Sequence, residues 1–240
     1  MSDSLAEGSR VTENQFLLRA RKIYKSYPSG CGSLDVLMGL DLEIRRGEIL
    51  VIVGASGVGK STLLHILGAL DRPTRGTVEL NATDLFSLSD KKLAGVRNRT
   101  VGFVFQFHHL LPDFTAAENV AMPLFIDGRS PQKARQVALG LLREVGLDGW
   151  EDQKPGELSG GEQQRVAVAR ALANNPLIVL ADEPSGNLDR ANSEMLHDLI
   201  WQLSRSKGQA FVIVTHNEKL AARADRLLRL SDGRLWPETI

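Results

Sequence analysis

The sequence predicts an α/β fold with a helical subdomain inserted in its middle, and three observations carry that prediction. Short apolar stretches of strand character alternate with helix-period segments along most of the chain. The rhythm stops between about Thr115 and Ala173, where helices can be placed but no convincing strand. Two glycine-rich turns, GASGVGKS from Gly54 to Ser61 and LSGGE from Leu158 to Glu162, each stand where a helix should begin. Bare backbone amides at a helix start form an anion site, so the chain is expected to meet a phosphorylated ligand from two directions.

In order, residues 1–14 are polar, lack the apolar core of a signal peptide and read as a loose tail. The stretch FLLRA from Phe16 opens the strand pattern, and ILVIV from Ile49 is apolar at every position, as a strand buried on both faces must be. A helix-period segment follows over residues 60–70, then the strand patterns TVEL from Thr77 and VGFVF from Val101. Helical periodicity over 131–145 and 160–173 belongs to the insert, placed at approximately 107–173. Strand character returns in LIVLA from Leu177, FVIVT from Phe211 and RLLRL from Arg226, separated by helical segments at 191–204 and 218–224. Ser231-Asp232-Gly233 has the turn chemistry of a short final hairpin. Residues 15–240 read as a single domain.

With 240 residues, 42% of them hydrophobic, the chain can bury a substantial core. Its 29 lysines and arginines balance 29 aspartates and glutamates, which gives no global electrostatic reason to expect nucleic acid as a partner. The single cysteine, Cys31, cannot form an internal disulfide, and a reducing compartment is the natural expectation. No uninterrupted apolar run approaches the roughly 20 residues needed to cross a bilayer, so any membrane role is expected to run through a partner.

The first glycine turn matches G-x-x-x-x-G-K-[ST] in full, after a strand pattern and before a helical one. The amides of Gly54, Ala55, Ser56, Gly57, Val58 and Gly59 can wrap phosphates, and Lys60 adds a positive charge at the outer ones. The Ser61 hydroxyl suits Mg2+, and Thr62 can add a hydroxyl to the α-phosphate. LIVLADEP ends in two adjacent carboxylates, which repel unless a cation or a proton relieves them. Asp182 suits the magnesium shell, and Glu183 is then placed to polarise an attacking water as general base.

The second turn allows two readings. Ser159 and Glu162 fit an ordinary S-x-x-E capping box. Gly160 and Gly161, however, are poor helix formers in a first turn unless something must approach the backbone, and an anion is the natural candidate. Gln106 after VGFVF, His216 after FVIVT and Tyr27 in KSYPSG carry no assignment when taken singly. His108 and His109 are adjacent, have no matching ligand set and do not read as a zinc site.

Taken in order, Tyr27, GASGVGKS, Gln106, LSGGE, LIVLADEP, Asp189 and His216 resemble the complete motif set of the ABC-type ATPases, over nearly the whole chain. The resemblance implies a P-loop NTPase (RecA-like) core with an N-terminal antiparallel β subdomain and an inserted helical subdomain, binding ATP and Mg2+. It also implies that Tyr27 stacks on the adenine, that Gln106 contacts the magnesium or the water, and that His216 contacts the γ-phosphate. Ser159, Gly160, Gly161 and Glu162 of one copy would close over ATP held by a second, in a homodimer with Asp189 at its interface. Glu162 stands where a glutamine is more usual, and SGN replaces the commoner TGN after Pro184.

Within the family, Phe103 to Leu124, LGALDRPTRG and ADEPSGNLD are similar to the ATPases that power lipoprotein release from the bacterial inner membrane. Macrolide-exporter and cell-division ATPases share much of this stretch. Integral membrane permease subunits are the implied partners, with lipoprotein cargo met only indirectly, and Phe107, Leu110, Leu111 and Phe114 are expected to line the permease groove or to pack as core. DNA-repair and chromosome-organising relatives usually carry coiled-coil or zinc-bearing inserts. The stretch of about a hundred residues between the two glycine motifs has neither heptads nor cysteines.

Overall fold

A computed structural model describes residues 16–30 and 32–239, so the expected tail at 1–14 and Cys31 lie outside the described residues. Two sheets organise the chain. Strands β1 (Phe16–Ser29), β2 (Gly32–Arg45), β4 (Arg75–Leu80) and β5 (Thr83–Asp84) form an antiparallel sheet in the order β2-β1-β4-β5. The second sheet runs β10-β9-β3-β8-β7-β6. It contains β3 (Ile49–Val53), β6 (Val101–Val104), β7 (Ile178–Asp182), β8 (Ala210–Thr215), β9 (Arg226–Ser231) and β10 (Arg234–Pro237). All its pairings are parallel except the β9–β10 hairpin, which turns through Asp232 and Gly233.

The period of two in a strand explains why ILVIV is apolar throughout. Ile49, Val51 and Val53 join one core, with Val179, Ala181, Phe211 and Ile213 from the neighbouring strands. That core is shared with helices α3 (Ala116–Ile126), α4 (Pro131–Glu144), α5 (Gly160–Leu172) and α6 (Arg190–Lys207). Leu50 and Ile52 face the opposite core, with Leu180, Val212 and Val214. There they meet α1 (Lys60–Leu67) and the inner face of the antiparallel sheet. The central sheet is therefore buried on both sides.

Between β6 and β7 the described residues form helices and loops only. A capping box starts α3, where the Thr115 backbone amide donates to Glu118 at 2.8 Å and the Thr115 hydroxyl accepts from the Glu118 amide at 3.2 Å. Pro131 occupies the first turn of α4, where its missing N–H costs nothing. Two further helices, α2 (Asp90–Thr100) and the short α7 (Glu218–Ala221), complete the fold. Among the described residues no helix is long and apolar enough to cross a membrane.

Candidate active site

Parallel sheets place ligand groups beyond the carboxyl ends of their strands. Here four adjacent parallel strands end at one cleft: β3 runs into Gly54–Gly59, β6 leads to Gln106, β7 ends at Asp182 and Glu183, and β8 leads to His216. A cavity of about 660 Å³ is lined by Ser56, Gly57, Gly59, Lys60, Ser61, Thr62, Gln106, Asp182, Glu183 and His216, with Val36 from β2. Residues separated by up to 180 positions, from Val36 to His216, thus converge. A larger cleft of about 870 Å³ lies against Arg21, Arg75 and Arg226, so chemistry rather than size selects the site.

The Gly54–Gly59 turn leaves its helix start open. Gly59 is the N-cap of α1 with φ 106°, and no side chain caps the helix, so the first amides of α1 have no protein side chain competing for them. Gly54 serves packing instead, since a Cβ there would lie 2.6 Å from the Leu230 carbonyl oxygen of β9. Lys60 is 8% exposed, and its Nζ donates to the carbonyls of Gly54 at 2.8 Å and Ala55 at 3.0 Å. The turn therefore fixes its own lysine with its own carbonyls.

Glu183 has φ 45°, a left-handed conformation that costs a side-chain-bearing residue about 1 kcal/mol or more. Contacts on every side hold it there. Its backbone amide donates to the Val214 carbonyl at 2.9 Å, and the Thr215 hydroxyl donates to Oε2 at 2.9 Å. His216 Nδ1 lies 2.9 Å from Oε1, and Lys60 Nζ lies 4.0 Å from the same oxygen. A carboxylate accepts only, so Nδ1 carries the proton in this pair. Asp182, half-buried beside it, lines the cavity with the Ser61 and Thr62 hydroxyls and the Gln106 amide. All are oxygen donors, the ligand type that a small hard cation prefers.

The second glycine turn lies elsewhere. Ser159, Gly160, Gly161, Glu162, Asp189 and Tyr27 are absent from the cavity lining. At the start of α5 the capping box is formed: the Ser159 amide and hydroxyl donate to Glu162 Oε2 at 2.8 and 2.7 Å. The Glu162 amide returns a longer bond to the Ser159 oxygen at 3.4 Å. Those Ser159 donors hold the Glu162 carboxyl below its usual range. Packing adds a second reason for one of the two glycines. A Cβ on Gly161 would lie 2.7 Å from Asn192 Oδ1 of α6, so contact within the chain also favours glycine there. Only Gly160 is free to be approached, with nothing nearer than 3.8 Å to a Cβ built there.

Asp189 caps α6, accepting from the Asn192 amide at 2.9 Å and from Asn192 Nδ2 at 2.6 Å. Tyr27 sits at the end of β1 opposite Leu34, two residues from the cavity-lining Val36. Its hydroxyl donates to Asp71 at 2.8 Å, and Lys25 Nζ stands 4.7 Å from its ring centroid. Of the apolar residues expected at a groove, Phe107, Leu111 and Phe114 are exposed, whereas Leu110 packs against the core. A separate groove is lined by Leu70, Phe103, Phe105, Pro123 and Ile126.

Four residues in or beside the site have no individual role in the sequence reading: Val36, Thr215, Gln164 and Asn187. Thr215 is the residue just before His216, and a hydroxyl ending an otherwise apolar strand pattern was its only signal. Gln164 is fully buried and donates to the Phe105 carbonyl at 3.1 Å. It reads in sequence as one more polar residue of a helix.

Parallel sheet, open phosphate turn and adjacent acids define a nucleotide-hydrolysing P-loop protein. The family model described as "ABC transporter" matches residues 37–186. The chain belongs to the ABC transporter family, as one of its ATP-hydrolysing cassettes. It is 54% identical over 219 residues to the lipoprotein-releasing system ATP-binding protein LolD of Cytophaga hutchinsonii, covering 91% of this chain and 98% of that protein. LolD of Porphyromonas gingivalis is 54% identical over 222 residues, covering 92% and 100%. Among solved structures, the ATP-binding cassette MJ0796 in a dimeric post-hydrolysis state bound to ADP and Pi matches with TM-score 0.85 and 39% identity. That match covers 92% of this chain and 97% of the solved one.

Proposed function

We propose that two copies of this chain bind ATP with Mg2+, close on it, hydrolyse it and reopen, and that the cycle drives LolC/LolE-like permease subunits to release lipoproteins from the bacterial inner membrane. The chain then sits at the cytoplasmic face of that membrane, held peripherally by its permeases. The observation that carries the reading is the half-built site. The cavity gathers the phosphate turn, Gln106, Asp182, Glu183 and His216, while none of Ser159–Glu162 lines it and Ser159 and Gly160 are exposed. A second copy supplying that turn completes it, as the dimeric state of MJ0796 supports. Identity above 50% to LolD proteins over nearly the whole chain supports the cargo.

In this reading Ser61, Asp182 and Gln106 hold Mg2+, which when bound neutralises charge on the outer phosphates. Lys60 and the amides from Gly54 to Gly59, with Ser61 and Thr62, orient the triphosphate, and Tyr27 stacks on the adenine near Val36. Glu183 takes the proton of the attacking water as the bond from the γ-phosphorus to the ADP oxygen breaks. His216 can donate from Nε2 to the γ-phosphate while Nδ1 serves Glu183 only as a doubly protonated ring. Gly160 and Ser159 of the partner copy close the far side, with Glu162, Gly161 and Asp189 shaping that interface.

Purification of a tagged copy from bacterial membranes tests the reading. Two lipoprotein-releasing permease subunits are expected to co-elute, and membranes carrying the complex are expected to release lipoprotein on ATP addition. Co-elution with an exporter or cell-division permease instead would replace the cargo assignment.

A further inference from the structure

Gln106 is clasped by Asn187, a residue to which the sequence reading gives no role of its own. Gln106 Nε2 donates to Asn187 Oδ1 at 3.0 Å, and Asn187 Nδ2 donates back to the Gln106 backbone carbonyl at 3.1 Å. The return bond decides the orientation of both amides. A backbone carbonyl only accepts, so Asn187 must turn its NH2 toward it. Its own carbonyl oxygen is then the end left to meet Gln106, and that oxygen demands the NH2 of Gln106. The Gln106 carbonyl oxygen, Oε1, is consequently the free end of the side chain.

From this clasp we infer that Asn187 is a positioning residue that sets the polarity of the Gln106 amide, presenting Oε1 rather than Nε2 to the cation and water in the cavity. The inference rests on the proposed role of Gln106 toward Mg2+ and the water. An unclasped glutamine amide can turn over, and its NH2 would then face the cation, which is repulsive. The surroundings are shaped to the clasp. A Cβ on Gly186 would lie 2.9 Å from Gln106 Nε2, so a glycine beside Asn187 lets the amide lie across the loop. That loop is itself fixed to α6: His197 Nε2 lies 2.8 Å from the Ser185 hydroxyl, and both residues are buried. On the other side, Gln164 holds the Phe105 carbonyl, and Arg170 donates to the carbonyls of His108 and His109 at 2.7 Å each. The backbone around Gln106 is thereby pinned from α5, which leaves the orientation of the side chain to Asn187.

A double-mutant cycle with Asn187→Ala and Gln106→Ala in the full-length chain tests this, reading both turnover and nucleotide affinity. Affinity for a non-hydrolysable ATP analogue is measured by calorimetry with Mg2+ and with a chelator. Asn187→Ala is expected to lower kcat by about three- to tenfold, the size of one lost hydrogen bond. It should also reduce the gain in affinity on adding Mg2+ while leaving the chelator value and the thermal midpoint unchanged. In the Gln106→Ala background, Asn187→Ala should add nothing further. Gly186→Ala, which displaces the same amide without touching Asn187, should reproduce the loss of Mg2+-dependent affinity. A full additional loss in the double variant, or an unchanged Mg2+ gain in Asn187→Ala, would show that Asn187 acts on the loop or the dimer and not through Gln106. If Gln106→Ala alone leaves turnover and the Mg2+ gain intact, the role of Gln106 falls, and this inference falls with it.

Discussion

Both glycine-rich turns of this chain lead into a helix, yet the two helix starts are opposites. At α1 the N-cap is Gly59, no side chain satisfies the first amides, and the neighbouring lysine is buried at the floor of a cavity. At α5 the N-cap is Ser159, its capping box is closed, and a carboxylate sits in the first turn of an exposed surface. A bare helix start is ready for an anion by itself. In a capped one the box already engages the Ser159 and Glu162 amides, and the negative charge of Glu162 opposes an anion at the positive end of the helix. In the function proposed above, the first turn is a binding site within one chain, and the second becomes part of a site only when another molecule brings the phosphates to it.

The largest effect that would probe this contrast is expected from Glu183→Gln. Loss of the general base should slow hydrolysis by roughly 10²- to 10⁴-fold, about 2.7 to 5.5 kcal/mol of barrier. ATP should still bind and hold a dimer, seen by light scattering or size exclusion. A variant that hydrolyses normally would remove Glu183 from its role. A variant that binds ATP but stays monomeric would separate the two turns altogether.

Lys60→Ala tests the bare turn alone. Removing the buried ammonium should weaken ATP binding by about 1.5 to 3 kcal/mol, roughly ten- to a hundredfold by calorimetry. Unchanged affinity would refute the phosphate assignment.

Within the capped turn the two glycines should separate. Gly161→Ala forces a methyl against Asn192, whose amide is tied to Asp189, and is expected to cost about 1 to 3 kcal/mol of stability in denaturant titration. Gly160→Ala has room and should leave stability nearly unchanged while weakening ATP-driven dimerisation. Equal stability loss in both would mean that the turn is purely structural.

The smallest expected effect concerns pH. The Glu162 carboxyl is held below its usual value of 4.5 by the Ser159 hydroxyl and amide. Its contribution to stability is therefore present above that value and is lost as pH falls through the lowered one. The difference in thermal midpoint between the wild type and Glu162→Gln should shrink progressively once pH drops below 4.5, and a difference independent of pH would detach the box from the charge.

The strands were readable where burial on both faces makes every residue apolar, as in ILVIV, LIVLA and FVIVT. Strand β2 escaped notice because its first residues are exposed and Gly39 interrupts its alternation. Helix α2 buries Leu93 alone and shows no apolar stripe to read. In α3 the reverse holds, since apolar residues surround it and Pro123 lies inside it. The Glu183 carboxylate was visible beside Asp182, but its left-handed backbone and its bonds to Thr215 and His216 arise from strand neighbours far along the chain.

The sequence by itself determined the chemistry that neighbouring residues share: a strand, a glycine turn, a lysine and two hydroxyls in succession make a phosphate site because a helix start concentrates its amides within a few residues. Tertiary structure alone decided which side chains meet that site. Parallel strand order brings Gln106, Glu183 and His216 to the turn and leaves Ser159–Glu162 outside it, and packing of α6 against α5 assigns Gly161 to Asn192. Those outcomes depend on contacts between distant segments, which no local pattern of residues encodes.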